Sequence, residues 1–309
     1  MGLRIAVLGL GAWGDTLAQL LQHQGHHVQG WSRRHGGDPA QVLLGADVAL
    51  VAIAMAGVRA LAPQLAPQWP SNLPLVSCSK GLDLDTLCTP SQLWHQHNPN
   101  LPVLVLSGPN LAAELATGLP AASVLAGSDA ELARQLQHSL SNDCLRLYTN
   151  SDPVGTEVAG ALKNVMAIAA GICDGLKLGA NAKASLLCRA LVEMGTVITG
   201  LGGSPTSLYG LAGLGDLLAT ACSPLSRNYR FGLALAEGHS RAEALNLVDG
   251  TVEGAGTTDA VLRLAARNTW HLPICAEVGA LMAGETTPQR AVRRLMERDL
   301  REETLALRP

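Results

Sequence analysis

The stretch that decides the fold is "RIAVLGLGAWG", from Arg4 to Gly14. It combines a short apolar segment typical of a buried strand, three glycines spaced G-x-G-x-x-G, and the first residues of a helix. Gly9 permits a tight turn, Gly11 allows a pyrophosphate to approach the backbone, and Gly14 allows the helix to pack closely on the strand.

A glycine turn can also join a strand to a helix without binding any ligand. Between a strand and a helix at the start of the chain, however, the pattern favours a dinucleotide site, because the free N–H groups of a helix N-terminus attract phosphate. The residues that we assign to this site are Gly9, Gly11, Ala12, Trp13 and Gly14.

Strand and helix signals alternate through the first half of the chain. Further apolar segments that end in polar or glycine residues are "HHVQGWSRR", "DVALVAIA", "PLVSCSKG", "PVLVLSGPN", "AASVLAG" and "CLRLYTN". The last two flank a predicted helix at 130–141. This alternation predicts an α/β fold in which helices cover both faces of a parallel sheet. We therefore expect a Rossmann-like dinucleotide-binding domain over residues 1–150.

After about Asn150 the periodicity becomes helical, with almost no strand signal. This pattern predicts an all-helical substrate-binding and catalytic domain over residues 151–309. No Ser/Gly-rich linker separates the two domains, so we expect them to pack tightly. The predicted helices lie near 154–174, 181–201, 227–237, 257–268, 273–283 and 288–303.

Composition and charge exclude several classes of partner. The chain has 309 residues, a net charge of −3 and no basic block, which argues against nucleic acid and against an anionic membrane surface. Its longest apolar stretch, near Val48 to Val58, is too short to span a bilayer. Seven cysteines without a C-x-x-C pair and no visible signal peptide indicate a reduced cytoplasmic protein. The nine histidines show no ligand spacing, so no metal site is expected.

The residues after the second predicted strand decide which dinucleotide binds. An NAD-selective site has an acidic residue about twenty positions beyond the glycines, which accepts from the ribose 2′-hydroxyl. This chain has Arg33 and Arg34 there and no acid before Asp38. Two guanidinium groups suit a 2′-phosphate, although two solvated surface arginines would give the same sequence. We expect NADPH as the cofactor, with NADH also possible.

A second unusual stretch is "EVAGALKNVM", from Glu157 to Met166, where Lys163 and Asn164 interrupt an apolar helical pattern. Lys163 could be a lysine that snorkels to solvent along an apolar face. It could instead face the cleft between the domains as a catalytic group, with burial lowering its pKa. Burying an ammonium group without a partner is costly, so we favour the catalytic interpretation.

Other polar residues follow strands or begin helices. Lys80 comes just after one predicted strand, and such a lysine is as often solvated as functional. Asp216, in "GLAGLGDL", stands at a helix start, where capping is the simpler role. Ser226, Arg227 and Asn228 form a dense donor set before a helix, which indicates a phosphate site or another capped helix.

In these segments the chain resembles the bacterial and plastid type of glycerol-3-phosphate dehydrogenase, a family that reduces dihydroxyacetone phosphate with NAD(P)H. The resemblance runs from the first strand to about residue 300. Two features depart from the family pattern: the short segment "HGGDPAQVLLGA" after the second strand, and Ala54 and Met55, where proline and serine are usual. The segments that carry it are "SKGL", "SGPNLAAELATGLP", "EVAGALKNVMAIAAGICDGL", "NAKASLLCRALVEM", "GLAGLGDLLAT" and "SRNYRFG".

The resemblance implies roles for individual residues. The lysine of the family's A-L-K-N segment, here Lys163, acts as general acid/base at the substrate carbonyl. Substrate contacts are implied for Lys80, Gly108, Asn110, Lys163, Asp216, Ser226, Arg227 and Asn228. Cofactor contacts are implied for Lys80, Ala112, Arg227 and Glu253, besides the glycine turn and the arginine pair.

The function implied is the reversible reduction of dihydroxyacetone phosphate to sn-glycerol 3-phosphate, which supplies glycerophospholipid synthesis. The large helical domain also suggests a homodimer. Two alternatives remain open from the residues alone. Another two-domain NADP-dependent hydroxyacid or ketoacid reductase would not need the phosphate trio that begins at Ser226. A non-catalytic NADP-binding sensor would not need Lys80 and Lys163 together.

Overall fold

The computed structural model describes residues 2–300 of the chain. Its first half is built on a seven-stranded sheet, and all seven strands lie where the apolar segments predict them. The strands are β1 (Arg4–Leu8), β2 (His27–Trp31), β3 (Val48–Val51), β4 (Leu75–Ser77), β5 (Val103–Ser107), β6 (Ala121–Ala126) and β7 (Leu145–Asn150).

The strand order across the sheet is β2-β1-β3-β4-β5-β6-β7. The predicted parallel sheet with a following helical domain is confirmed, and every neighbouring pair of strands is parallel except β5 and β6, which are antiparallel. The only α-helix in the β5–β6 connection has five residues (Ala112–Ala116) and rises about 7.5 Å. A strand of this length extends about 17 Å, and the short helix does not return the chain to the opposite edge. It places the start of β6 beside the end of β5 instead.

Five helices cover the sheet. The sequence patterns predicted the first and the last of them and missed the other three. They are α1 (Ala12–His23), α2 (Met55–Leu65), α3 (Pro90–His97), α4 (Ala112–Ala116) and α5 (Ala130–Leu140).

The second half, after Asn150, consists of helices. Its last helix ends at Met296, before the predicted end at residue 303, and residues 301–309 lie outside the described part of the chain. The helices are α6 (Pro153–Gly175), α7 (Gly179–Gly200), α8 (Asp216–Ala221), α9 (Arg227–Ala236), α10 (Arg241–Asn246), α11 (Glu253–Asn268), α12 (Pro273–Met282) and α13 (Pro288–Met296).

Helix α6 forms the centre of the helical half. Among residues 2–300 it is the one helix long and apolar enough to cross a membrane, but 89% of its apolar window is buried inside the protein. It is therefore a core helix, packed against α7, α8, α9 and α11. Because Lys163 and Asn164 lie in the middle of α6, the polar pair is carried into the interior with it.

Candidate active site

The glycine turn has the geometry that a dinucleotide requires. Gly9 has a φ of +103°, and a Cβ on Gly14 would lie 1.8 Å from the Gly9 carbonyl oxygen, so neither position accepts a side chain. A Cβ on Gly11 would meet nothing within 4 Å, which leaves room for a ligand beside the backbone. Gly11 is the N-cap of α1 and makes no side-chain capping bond, so the N–H groups of Ala12 and Trp13 are available to a pyrophosphate.

The arginine pair lies at the same edge of the sheet. Arg33 and Arg34 follow the end of β2 and are exposed, and neither has an ion-pair partner within residues 2–300. The turn that carries them is held by the Trp31 indole N–H, which donates to the Gly37 carbonyl at 2.9 Å. Both guanidinium groups are therefore available to an anion beyond the carboxyl end of β2.

Lys163 and Lys80 meet at one carboxylate. The Lys163 ammonium lies 3.0 Å from Asp216 Oδ1 and donates to the Thr220 hydroxyl at 2.6 Å. The Lys80 ammonium donates to Asp216 Oδ2 at 2.6 Å. Lys163 is 7% exposed and Asp216 is 2% exposed. Lys163 therefore does not extend to solvent, and the alternative of a snorkelling lysine is wrong. Asp216 pairs with these two ammonium groups and is not the cap of α8.

The protonation states in this cluster are set by burial and by mutual charge. Burial lowers the pKa of Lys163 to about 8, with Lys80 and Arg227 acting in the same direction and Asp216 opposing them. Burial alone would raise the pKa of Asp216, but the two ammonium groups hold it below its ordinary value. A lysine with a pKa near neutrality can both donate and accept a proton at physiological pH.

The loop after β5 supplies two more partners for Lys80. Its ammonium donates to the Gly108 carbonyl at 3.1 Å and to Asn110 Oδ1 at 3.0 Å. Gly108 has a φ of +153°, and a Cβ there would lie 2.8 Å from Ser123 Cα on β6. The antiparallel placement of β6 thus fixes the loop that carries Gly108 and Asn110. Ala112, the first residue of α4, accepts a long hydrogen bond from Thr16 of α1 at 3.4 Å.

The phosphate trio lies at the start of α9. Ser226 is the N-cap and accepts from the Tyr229 N–H at 3.2 Å, as the capping alternative predicts. Arg227 is exposed and its guanidinium lies against Gly250, while its charge acts on both Lys163 and Glu253. The trio therefore caps a helix and also presents a cation toward the cleft.

Asn228 is buried and joins three helices. Its amide donates to Asn164 Oδ1 at 2.9 Å, and its own oxygen accepts from the Gly254 N–H at 2.9 Å. Asn164 lies on α6 beside Lys163, so this contact fixes the start of α9 relative to the lysine. The sequence prediction assigned Asn164 no substrate or cofactor contact, although Asn164 interrupts the apolar pattern together with Lys163.

Glu253 connects the helical half to the nucleotide half. It is the first residue of α11, which begins four residues earlier than predicted, and its carboxylate accepts from the Met55 N–H at 3.4 Å. Burial raises the pKa of this carboxyl, which Met55 and Arg227 partly oppose. Glu253 therefore lies at the carboxyl end of β3, beside the predicted cofactor path.

The sequence reasoning also missed Thr220. Its hydroxyl accepts from Lys163 and donates to Asp216 Oδ1 at 3.2 Å, which completes the buried network. Its position four residues after Asp216 places both side chains on one face of α8, and this spacing is the signal that could have indicated it.

Hydride transfer to a carbonyl needs a nicotinamide dinucleotide and a proton donor in one cleft. The glycine turn and the lysine cluster lie at the same edge of the sheet, facing the helical half. By fold and site the chain is a two-domain dehydrogenase that uses a nicotinamide dinucleotide.

Comparison with known proteins gives the family. Residues 4–37 and 35–133 match the model of the NAD-dependent glycerol-3-phosphate dehydrogenase N-terminus, and residues 152–293 match that of its C-terminus. An NAD(P)+ glycerol-3-phosphate dehydrogenase of Synechococcus sp. (strain RCC307) is 58% identical over 301 residues, which cover 97% of this chain and 99% of that protein. The chain belongs to the NAD-dependent glycerol-3-phosphate dehydrogenase family.

Solved structures agree with this assignment. The crystal structure of glycerol-3-phosphate dehydrogenase from Coxiella burnetii has a TM-score of 0.91 and 34% identity, and the match covers 96% of this chain and 99% of that one. The resemblance to this family is therefore confirmed. Family membership also decides against the two alternatives left open by the sequence, a hydroxyacid or ketoacid reductase and a non-catalytic sensor.

Proposed function

We propose that Lys163 is the general acid in the reaction of this family, the NAD(P)H-dependent reduction of dihydroxyacetone phosphate to sn-glycerol 3-phosphate. The observation that carries this assignment is the buried ammonium of Lys163, bonded to Asp216 and Thr220, with its pKa lowered to about 8. A donor of this kind is matched to a carbonyl oxygen that becomes an alkoxide.

The reduction of the carbonyl group requires two transfers, one of a hydride and one of a proton. The nicotinamide supplies the hydride that bonds to the carbonyl carbon. Lys163 gives its proton to the carbonyl oxygen and is left as a neutral amine, which solvent protonates again after product release. Lys80 stabilises the negative charge that develops on the oxygen. Asp216 holds the two ammonium groups together and offsets their repulsion.

The substrate phosphate is assigned to the start of α9. The exposed guanidinium of Arg227 supplies charge-assisted hydrogen bonds. Ser226 accepts a capping bond and can still donate its hydroxyl hydrogen, while Asn228 keeps the helix start in place through Asn164. Gly108 and Asn110, which bind Lys80, are assigned to the other side of the substrate.

Arg33 and Arg34 are assigned to the 2′-phosphate of NADPH, with NADH as the weaker cofactor. The remaining cofactor contacts are assigned to the glycine turn, Ala112, Glu253, Lys80 and Arg227. We assign residues 1–150 to a nucleotide-binding domain and residues 151–309 to a catalytic domain. We further propose that the protein is cytoplasmic and that it assembles as a homodimer.

The test is the oxidation of NADPH, followed at the nicotinamide band, with dihydroxyacetone phosphate as substrate. Lys163→Ala should lower kcat by about a hundredfold or more, because the proton donor is gone. Lys177→Ala is the matched control, because it removes an exposed ammonium group two residues after the end of α6, the helix that carries Lys163. Unchanged turnover in Lys163→Ala would remove the general-acid assignment and leave the enzyme activity standing.

A further inference from the structure

A buried carboxylate outside the lysine cluster joins the two halves of the protein. Glu157 lies on α6 and is 1% exposed. It accepts from the Ser91 N–H at 3.0 Å and from the Ser91 hydroxyl at 2.5 Å. The Ser77 hydroxyl also donates to it, at 3.4 Å. No step of the reaction above uses Glu157.

The partners of Glu157 belong to the nucleotide half. Ser91 is in the first turn of α3, so the carboxylate of one domain lies at the positive N-terminus of a helix in the other. Burial raises the pKa of Glu157, while the donors of Ser91, Thr89 and Ser77 favour the ionised form. Removing this acceptor leaves buried donors without a partner, which is expensive.

The position of this contact relates it to catalysis. Lys163 follows Glu157 by six residues on α6, which is about 9 Å along the helix axis. Ser77 is the last residue of β4, and Lys80 follows three residues later. One carboxylate therefore connects the helix that carries Lys163 to the strand that leads into Lys80.

We propose that Glu157 is a positioning residue for the reaction: by fixing α6 against α3 and β4, it sets the place where Lys163 meets Lys80 and Asp216. The inference rests on the general-acid role proposed for Lys163. The simpler possibility is that Glu157 only stabilises the fold, and a second buried carboxylate allows the two to be separated.

Glu193 provides the matched control. It lies on α7, is 5% exposed, and accepts from the N–H groups of Ile274 and Cys275 at the start of α12, at 2.6 and 3.1 Å. The contact is of the same kind, a buried carboxylate on a helix N-terminus. Both of its partners, however, lie within the helical half, so its loss does not release one domain from the other.

The experiment compares Glu157→Ala with Glu193→Ala in the full chain. The measurements are unfolding in urea and kcat with dihydroxyacetone phosphate and saturating NADPH, made where both variants remain folded. Both variants should lose stability. Only Glu157→Ala should lose kcat, by about tenfold or more relative to Glu193→Ala, because a displacement of about 1 Å at the reacting groups can cost a hundredfold. Glu157→Gln, which keeps an acceptor for Ser91, should recover part of the loss.

The pH profile gives a readout that stability alone does not move. The groups that act on the Lys163 ammonium are Asp216, Lys80 and Arg227, and Thr220 accepts its hydrogen bond. If Lys163 leaves its buried position in Glu157→Ala, its pKa rises toward the ordinary value and the basic limb of the profile moves to higher pH. The limb of Glu193→Ala should stay where the wild type has it.

Ser91→Ala tests the same contact from the nucleotide half and also serves if Glu157→Ala does not fold. It removes the hydroxyl at 2.5 Å and keeps the backbone donor, so a smaller change in the same direction is expected. Equal kcat values and equal pH limbs in the Glu157 and Glu193 variants would overturn the inference. Lack of turnover in the wild type would instead contradict the proposed function, so the two failures are distinguishable.

Discussion

Lys163 can exchange a proton near neutrality because burial lowers the pKa of its ammonium group and the Asp216 carboxylate only partly opposes this effect. Free lysine has a pKa of about 10.4, whereas burial lowers that of Lys163 to about 8. Reduction needs the protonated form, so kcat/KM for dihydroxyacetone phosphate should fall as pH rises through about 8. Oxidation of glycerol 3-phosphate needs the neutral amine and should rise over the same range. Rate profiles in both directions check this, and Lys163→Ala should lose both limbs.

Arg33 and Arg34 carry the predicted choice of cofactor. Replacing both with alanine should raise the KM for NADPH by about tenfold or more, since a charge-assisted hydrogen bond contributes about 1.5–3 kcal/mol. The KM for NADH should change little, because NADH has no 2′-phosphate. Initial rates with each cofactor measure the ratio directly, and increasing salt should weaken NADPH binding to the wild type more than to the variant. An equal loss for both cofactors would contradict the assignment.

At the scale of elements, the contact between α6 and α9 decides where the phosphate-binding residues lie. The two helices cross with backbones in contact: a Cβ on Gly232 would lie 2.1 Å from the Ile168 carbonyl oxygen, and one on Gly171 would lie 2.1 Å from that of Tyr229. This close approach brings Asn228 within hydrogen-bond distance of Asn164. The glycines therefore set the distance between the predicted phosphate site and Lys163, the proposed general acid.

Gly232→Ala should push the two helices apart. We expect a loss of about 1–3 kcal/mol in the free energy of unfolding, as in other overpacked sites. The KM for dihydroxyacetone phosphate should rise about tenfold, because the start of α9 moves with the helix; this equals about 1.4 kcal/mol. Gly256→Ala is the control: it lies on α11 with nothing within 4 Å of the added Cβ, and it should stabilise by about 0.5–1 kcal/mol. Urea unfolding and steady-state kinetics measure both variants.

The elements differ in how far the sequence determines them. The apolar segments located all seven strands. The central strands β3 and β4 are buried on both faces and leave a continuous hydrophobic run, whereas the edge strands β2 and β7 are partly exposed and gave short apolar segments that end in polar residues. The direction of β6 could not be read this way, since it depends on the short connection through α4. Helix α2 was missed because its N-cap, Ala54, makes no capping bond. Helix α3 was missed although Thr89 and Gln92 form a capping box, a signal present in the sequence.

At the scale of the whole molecule, the site also combines features that the sequence predicts with features that only the packing of the domains determines. Motifs indicated Lys80, Lys163 and Asp216 separately, but not that one carboxylate bridges both lysines. That fact depends on how the domains pack, since Lys80 and Asp216 are 136 residues apart in the chain. Glu157 was missed for the same reason, because its partner Ser91 lies on an element distant in sequence. Thr220 was missed although its spacing from Asp216 on α8 is a local signal. Local patterns identified the chemistry, and the domain arrangement determines the geometry.

Asp216 therefore links the two domains through its ion pairs with Lys80 and Lys163. Its loss should affect both the stability of the fold and the proposed reaction. In Asp216→Asn, Lys80 and Lys163 would remain close together without a counter-charge, which costs about 3–5 kcal/mol when a buried pair is broken. We expect the free energy of unfolding in urea to fall by this amount and turnover with dihydroxyacetone phosphate to be lost. NADPH binding through the glycine turn and the arginine pair should survive, measured by nicotinamide fluorescence.

The control for this change is Asp259→Asn, which breaks the Arg241–Asp259 pair on the helical half, with side chains 37% and 32% exposed. A surface pair of this kind is worth about 0–1 kcal/mol, so this variant should retain both stability and turnover. If Asp216→Asn were no less stable than Asp259→Asn, the Asp216 carboxylate would not contribute to holding the domains together, and the contacts of Glu157, the contact of Glu253 and the apolar contacts of α6 would have to carry that role. If it stayed stable and inactive, Asp216 would act only in the chemistry. The two measurements together therefore separate the structural role of the bridge from its catalytic one.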